Sequence, residues 1–275
     1  GLFCTKHFIG MVKEFSDKNY WALILGGSSG LGLAAAIKLA KHGCNIIIVY
    51  RNRKSDLAAI EKDFDVIKTC GVDVLTINED ALQANKRELI VTTIRQQLGE
   101  QGKIRTLIHS IAKGNLKPML AEGDAILNND DFHLTADAMA FSLYDWTKII
   151  FEQKLFADDA RVISFTSEGN TKAIKNYAAV SAAKAALEAI TRNIALEFAP
   201  QGIKANCIQA GVTDTSSFRM IPGHEKIKEH TLLRNPSKRL TTPEDVANVV
   251  YLLCKDEAAW INGSIIIADG GEHIN

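Results

Sequence analysis

The segment Trp21 to His42 constrains the fold more than any other stretch of this chain. Trp21 to Gly26 (WALILG) is apolar throughout and runs straight into Gly26-Gly27-Ser28-Ser29-Gly30-Leu31-Gly32, after which alanine-rich Leu33 to His42 carries helical spacing. A short apolar run bounded by glycine reads as a strand buried on both faces, as in a parallel sheet. Strand, glycine turn and helix together form a cradle in which bare backbone lets a pyrophosphate approach N–H groups at a helix N-terminus. Glycine also permits the positive φ that such a turn needs.

The remaining chain supplies the partners of that unit. Asn45 to Tyr50 (NIIIVY) reads as the second strand, and at its end stand Tyr50-Arg51-Asn52-Arg53-Lys54, three cations with no carboxylate among them. Guanidinium forks suit a 2'-phosphate, so Arg51, Asn52 and Arg53 point to NADPH, with NADH the less favoured cofactor. Ser55 to about Cys70 reads as a helix ended by Gly71, Val72 to Ile77 as a strand, and Asn78 and Glu79 lie where an adenine would rest. Asn85 to Gly99 is expected to be helical and Ile104 to His109 a strand, whose end presents Ser110, Ile111 and Ala112 to a cofactor ribose. His109 is expected to be a hydrogen-bonded structural histidine. Lys113 to Asp131 reads as an irregular excursion, a lid or substrate wall. Phe132 to Phe156 returns to a helical period before a strand at Arg161 to Phe165.

Tyr177 then opens an alanine-rich helical segment, and Lys184 follows it by seven positions. That is close to two turns, about 10 Å of rise, which places phenol and ammonium on one face. Ser164, Thr166 and Ser167 fall at the carboxyl end of the preceding strand, where open α/β sheets bind ligands. Ile203 to Ile208 reads as the sixth strand; Gly211, Val212, Thr213 and Thr215 follow it and offer groups to a nicotinamide carboxamide or a phosphate. Ser216 to Pro236 has the composition of a mobile apolar flap. Thr242 caps a helix that begins Pro243-Glu244-Asp245, and Gly263 to Ala268 is the last strand.

Composition removes several other classes of function. Thirty-two basic and 32 acidic residues cancel, which gives no field for nucleic acid or an anionic membrane. The five cysteines are scattered and mostly lie in apolar runs, as expected of reduced core thiols, and no C-x-x-C pair or other metal-ligand set is visible. No apolar run approaches the ~18 residues of a membrane span, and residues 1–19 lack a signal-peptide core, so a cytoplasmic protein is expected. The expected organisation is an arm over 1–19 and a single domain over 20–275, with a substrate-covering loop at about 213–236.

Gly26 to Gly32, Tyr177 with Lys184, Ala210 to Thr215 and Asp269 to Gly271 resemble the short-chain dehydrogenase/reductase family over essentially the whole chain. The seven-residue spacing, His109 to Ala112 and Asn176 before the tyrosine resemble its enoyl-acyl-carrier-protein reductase branch, in the NADPH-using form. The resemblance implies an α/β, Rossmann-type doubly wound sheet of about seven parallel strands with helices on both faces. It implies reduction of a trans-2-enoyl thioester on acyl carrier protein or CoA, by hydride transfer to the β-carbon, as in fatty acid elongation. Tyr177 would bind the thioester oxygen, Lys184 the nicotinamide ribose, and Thr166 with Ser164 would orient the tyrosine or touch substrate. The cofactor cradle would comprise Gly26, Ser28, Ser29, Gly30, Leu31 and Gly32. A homotetramer is also implied; the alanines of the Tyr177 helix fit this, and fit packing against the sheet equally. The family's common spacing of four recurs in Tyr50 with Lys54 and Tyr144 with Lys148, which are read as an adenosine-side pair and a helix-surface pair. Asp137 stands where many members carry a relay asparagine, and Ser167 where some carry a second tyrosine. The rival readings are a carbonyl or 3-ketoacyl-thioester reductase of the same family, and a non-catalytic nucleotide-binding regulator.

Overall fold

A computed structural model describes residues 12–123 and 125–275; the N-terminal part of the expected arm, residues 1–11, lies outside the described residues. Its strands and helices alternate in chain order: β1 (Tyr20–Leu25), α1 (Gly30–Lys41), β2 (Asn45–Tyr50), α2 (Leu57–Lys68), β3 (Val74–Asn78), α3 (Ala84–Leu98), β4 (Lys103–His109). They continue with α4 (Asn129–Ala136), α5 (Ser142–Glu152), β5 (Phe156–Thr166), α6 (Ala178–Glu197), β6 (Ile203–Ala210), α7 (Ser216–Arg219), α8 (His224–Arg234), α9 (Pro243–Cys254) and β7 (Ile265–Ala268). The strands form one sheet in the order β3-β2-β1-β4-β5-β6-β7, and every pairing is parallel. The expected fold is therefore the observed one, a doubly wound Rossmann-type sheet.

Side-chain alternation along β1 shows why helices cover both faces. Trp21, Leu23 and Leu25 enter one core with Ile94 of α3, Trp146 of α5 and Leu187 of α6, while Ala22 and Ile24 enter the other with α1, Phe64 of α2 and Val250 of α9. With apolar side chains on both sides, β1 is stable only between two helical layers. The order reverses at β1, where the connection leaves for β4, and that opens a crevice at the carboxyl ends of these strands. Leu25 pairs with both Val49 and His109, and His109 with Ser164, so those ends are level across the sheet.

Two local expectations, for β5 and for the helix before it, are revised. β5 is longer at its start than the apolar run suggested, because Asp159 in its polar half is neutralised by Arg105, Arg161 and Lys204. The helix expected over Phe132 to Phe156 is broken into α4, a π-helical stretch Asp137–Phe141 and α5. The flap at Ser216 to Pro236 is built of α7 and α8. The described end of the arm packs onto the body: Phe15 is buried and its N–H bonds the His42 carbonyl. Among the described residues no helix is long and apolar enough to cross a membrane.

Candidate active site

The strand ends, the N-terminus of α1 and the helices α7 and α8 enclose a cavity of about 1340 Å³. Gly26, Ser28, Ser29, Gly30 and Leu31 line it at one end. Gly26 has φ +84°, and a Cβ there would lie 2.3 Å from the Ser110 carbonyl oxygen, so only glycine fits this turn. Ser29 at the N-cap makes no side-chain cap and the first turn of α1 holds no acid, which leaves the helix's first N–H groups open to an anion. The cradle fits the diphosphate of a dinucleotide. Gly32, expected in the cradle, lies outside the cavity; a side chain there would meet the Gly26 carbonyl at 2.6 Å, so its smallness closes the turn.

At the end of the cavity beside β2 and β3, Arg51, Asn52, Arg53 and Glu79 line the wall, and Asn78 does not. Asn78 instead clamps the β2 end, its side chain accepting from the Asn52 N–H at 3.0 Å and donating to the Asn52 carbonyl at 3.1 Å. To the local run of cations the fold adds a carboxylate from elsewhere in the chain: Asp80, arriving from the end of β3, pairs with Arg51 at 2.5 Å. Arg53 and Lys54 have no carboxylate partner among the described residues and are exposed.

Ser110, Ile111, Ala112, Lys184, Gly211, Val212, Thr213 and Thr215 line the middle of the cavity. Tyr177 caps the start of α6, where a left-handed Asn176 at φ +65° turns the chain into the helix. Its hydroxyl lies 3.3 Å from Ser167 Oγ. Burial raises the Tyr177 pKa, opposed by the Ser167 hydrogen bond, so the phenol is protonated at neutral pH. Lys184, two turns on, lines the same cavity and donates from Nζ to the Phe165 carbonyl at 2.6 Å. Burial brings its pKa down to about 8.

The strand hydroxyls are used differently from the expectation. Ser164 lies outside the cavity, 1% exposed, in contact with Thr191 Oγ1 at 3.2 Å and Cys207 Sγ at 3.0 Å. Thr166 lines the cavity, but its hydroxyl donates to Glu188 Oε1 at 2.5 Å. The period of two explains both: Ser164 and Thr166 point to the same side of β5, the side α6 covers. Ser167, just beyond the strand, leaves that alternation and meets the phenol. Its place ten residues before Tyr177 was the available signal.

His109 is 2% exposed, its Nε2 lies 2.7 Å from Ser142 Oγ, and burial followed by the Lys184 charge brings its pKa down to about 3. Asp137 is exposed and outside the cavity, as are Tyr144 and Lys148; Tyr50 lines the cavity's end beside β2 and β3. A charged group not foreseen from the sequence closes the far wall: Arg234, ending α8, donates to Glu168 at 2.6 and 3.2 Å and to Glu272 at 3.0 Å. Apolar Phe218, Met220, Ile221 and Ile227 of the same flap face Ile174, Val180 and Leu116 across the cavity.

The family model described as enoyl-(acyl carrier protein) reductase matches residues 26–273. The peroxisomal 2,4-dienoyl-CoA reductase of Mus musculus is 29% identical over 252 residues, 91% of this chain and 82% of that protein. The NADH-dependent enoyl-[acyl-carrier-protein] reductase FabI of Enterococcus faecalis is 26% identical, covering 94% of this chain and 98% of its own length. The crystal structure of the enoyl-[acyl-carrier-protein] reductase (NADH) from Aquifex aeolicus VF5 superposes with TM-score 0.82 at 25% identity, over 95% of this chain and 98% of that one.

Proposed function

Because this chain belongs to the short-chain dehydrogenase/reductase family, in its enoyl-(acyl carrier protein) reductase type, we propose that it reduces trans-2-enoyl thioesters with NADPH. It is an oxidoreductase with a nicotinamide-dinucleotide fold; the substrate and the choice of cofactor are the proposal. The observation that carries it is a protonated phenol and a half-buried lysine lining one cavity with a glycine cradle. Relatives named for reducing enoyl and dienoyl thioesters support a conjugated C=C bond over a ketone as the reacting group.

A bound reduced nicotinamide supplies the hydride. Gly26, Ser28 to Leu31 and the open N-terminus of α1 would hold its diphosphate. Ser110 to Ala112 and Gly211 to Thr215 would hold its ribose and nicotinamide. As negative charge collects on the thioester oxygen, the Tyr177 hydroxyl donates a hydrogen bond to it, and Ser167 holds that hydroxyl in place. Lys184 uses one donor on Phe165 and keeps two for ribose hydroxyls. Its charge favours the growing anion. Thr166 acts from behind, through Glu188.

The preference for NADPH rests on Arg53 and Lys54, with Arg51 shared by Asp80. The apolar flap suits an acyl chain, and the carrier is acyl carrier protein or CoA. Ala182 and Ala185 are exposed on α6, alongside exposed Phe141 and Tyr144, which supports a homotetramer built on this side, and a cytoplasmic location remains part of the reading.

The test is cofactor consumption with crotonyl-CoA against acetoacetyl-CoA. The enoyl substrate is expected to turn over, and Tyr177→Phe to lower kcat by about 100-fold, the usual cost of one donor to a developing anion, with NADPH binding kept. Consumption with the ketone alone would establish the rival reading. Arg53→Ala is expected to raise the KM for NADPH about tenfold and leave that for NADH unchanged.

A further inference from the structure

The reaction proposed above depends on an ammonium group in a site that burial disfavours for charge, and Lys184 has no carboxylate among its hydrogen-bond partners. A buried ammonium without an anion nearby is costly. Three titratable groups from the surrounding elements bear on it. Cys207 of β6 lies in the same polar seam and is the first neighbour to oppose the effect of burial on Lys184, although burial also raises its own thiol. His109 of β4 is held neutral. The third is Glu188, one turn along α6 from Lys184 and so on the same helix face.

Glu188 is an unusual residue for its place. It is 8% exposed, and both of its donors converge on one oxygen: the Thr166 hydroxyl from the end of β5, and the Asn170 amide from the turn that follows. Asn170 directs its amide nitrogen there while its own Oδ1 is buried without a partner. Between Thr166 and Asn170 in the chain lies Ser167, the residue in contact with the Tyr177 hydroxyl.

We propose that Glu188 is a positioning residue: its carboxylate is the buried counter-ion of Lys184 and, through Thr166 and Asn170, the anchor of the segment that carries Ser167 to Tyr177. One anion thus sets both the charge of the lysine and the placing of the phenol's partner, from a position that touches neither substrate nor cofactor. Burial alone drives Lys184 down, and Glu188, behind Cys207 in order of effect, opposes that.

The test rests on the reading of Tyr177 and Lys184 as the working pair, and separates the two ideas. Glu188→Gln keeps an acceptor for Thr166 and Asn170 and removes only the charge. The Lys184 titration, followed by nitrogen-15 NMR of the full chain and by the alkaline limb of kcat/KM for crotonyl-CoA, is expected to move down by about one pH unit. Glu188→Asp is expected to restore most of that shift, and thermal melts check that both variants fold. A Lys184 titration in Glu188→Gln that coincides with the wild type overturns the proposal, whatever the rate. If Lys184→Met keeps full activity, the catalytic reading falls, while the NMR titration still decides the role of Glu188.

Discussion

Burial moves the pKa values of Tyr177 and His109 in opposite directions, and each shift favours the neutral form. For the tyrosine this preserves a donor; for the histidine it leaves a stability cost at low pH. Unfolded, His109 takes a proton below about 6.5, whereas in the fold it does so only near 3. Between those values the unfolded chain binds more protons, so stability falls as pH drops from about 6.5 toward 3. His109→Gln is expected to lose less melting temperature than the wild type between pH 7 and pH 4; parallel curves would remove His109 from the acid response. Spacing put Tyr177 and Lys184 on one helix face, and position along the chain set them apart from Tyr50 with Lys54 and Tyr144 with Lys148. Neither signal singled out Ser167 over Ser164 and Thr166, since the choice depends on which side of β5 is covered by α6.

At the scale of elements, the seating of α9 depends on two arginines buried in neighbouring strands. Arg105 donates to the Cys254 carbonyl at 2.8 and 3.0 Å, and Arg161 to the Leu253 carbonyl at 2.8 Å and the Lys255 carbonyl at 3.1 Å. Those of Leu253 and Cys254 are carbonyls that a helix end leaves unpaired, at the negative end of its dipole, while that of Lys255 also accepts from the Ala258 N–H. Asp159 and Asp256 balance the guanidinium charge of Arg105. Arg105→Met leaves the Cys254 carbonyl without a side-chain donor and takes one cation from Asp159 and Asp256, and is expected to cost about 3 kcal/mol in denaturant unfolding, with NADPH affinity unchanged because the cavity lies at the other end of the strands. A loss below about 0.5 kcal/mol, within the range of an ordinary surface change, would mean the carbonyls find other partners. The other end of α9 was legible: Thr242 and Asp245 form the capping box that its sequence announces. The arginines were not legible, since in sequence each is a charge interrupting an apolar strand.

For the whole molecule, the question is how the flap is held to the body. Arg234 joins α8 to Glu168, beside Ser167, and to Glu272, which also takes the Val212 N–H at the turn after β6. Burial raises the Glu272 pKa and Arg234 opposes it, so removing the guanidinium would leave two carboxylates facing each other. Arg234→Ala is therefore expected to speed tryptic cleavage after Lys226 and Lys228 severalfold and to raise the KM for the thioester more than it lowers kcat. Unchanged cleavage would show that apolar contacts alone seat α8. The sequence by itself determined the alternation of strands and helices, the glycine cradle and the pairing of Tyr177 with Lys184, because each is set by a local period or by backbone that only glycine can follow. Only the tertiary structure decided that Asp80 meets Arg51, that Glu188 meets Thr166 and Asn170, and that Arg234 closes on Glu168 and Glu272. Those partners lie on separate elements, and strand register and helix seating, which no local pattern encodes, bring them within hydrogen-bond reach.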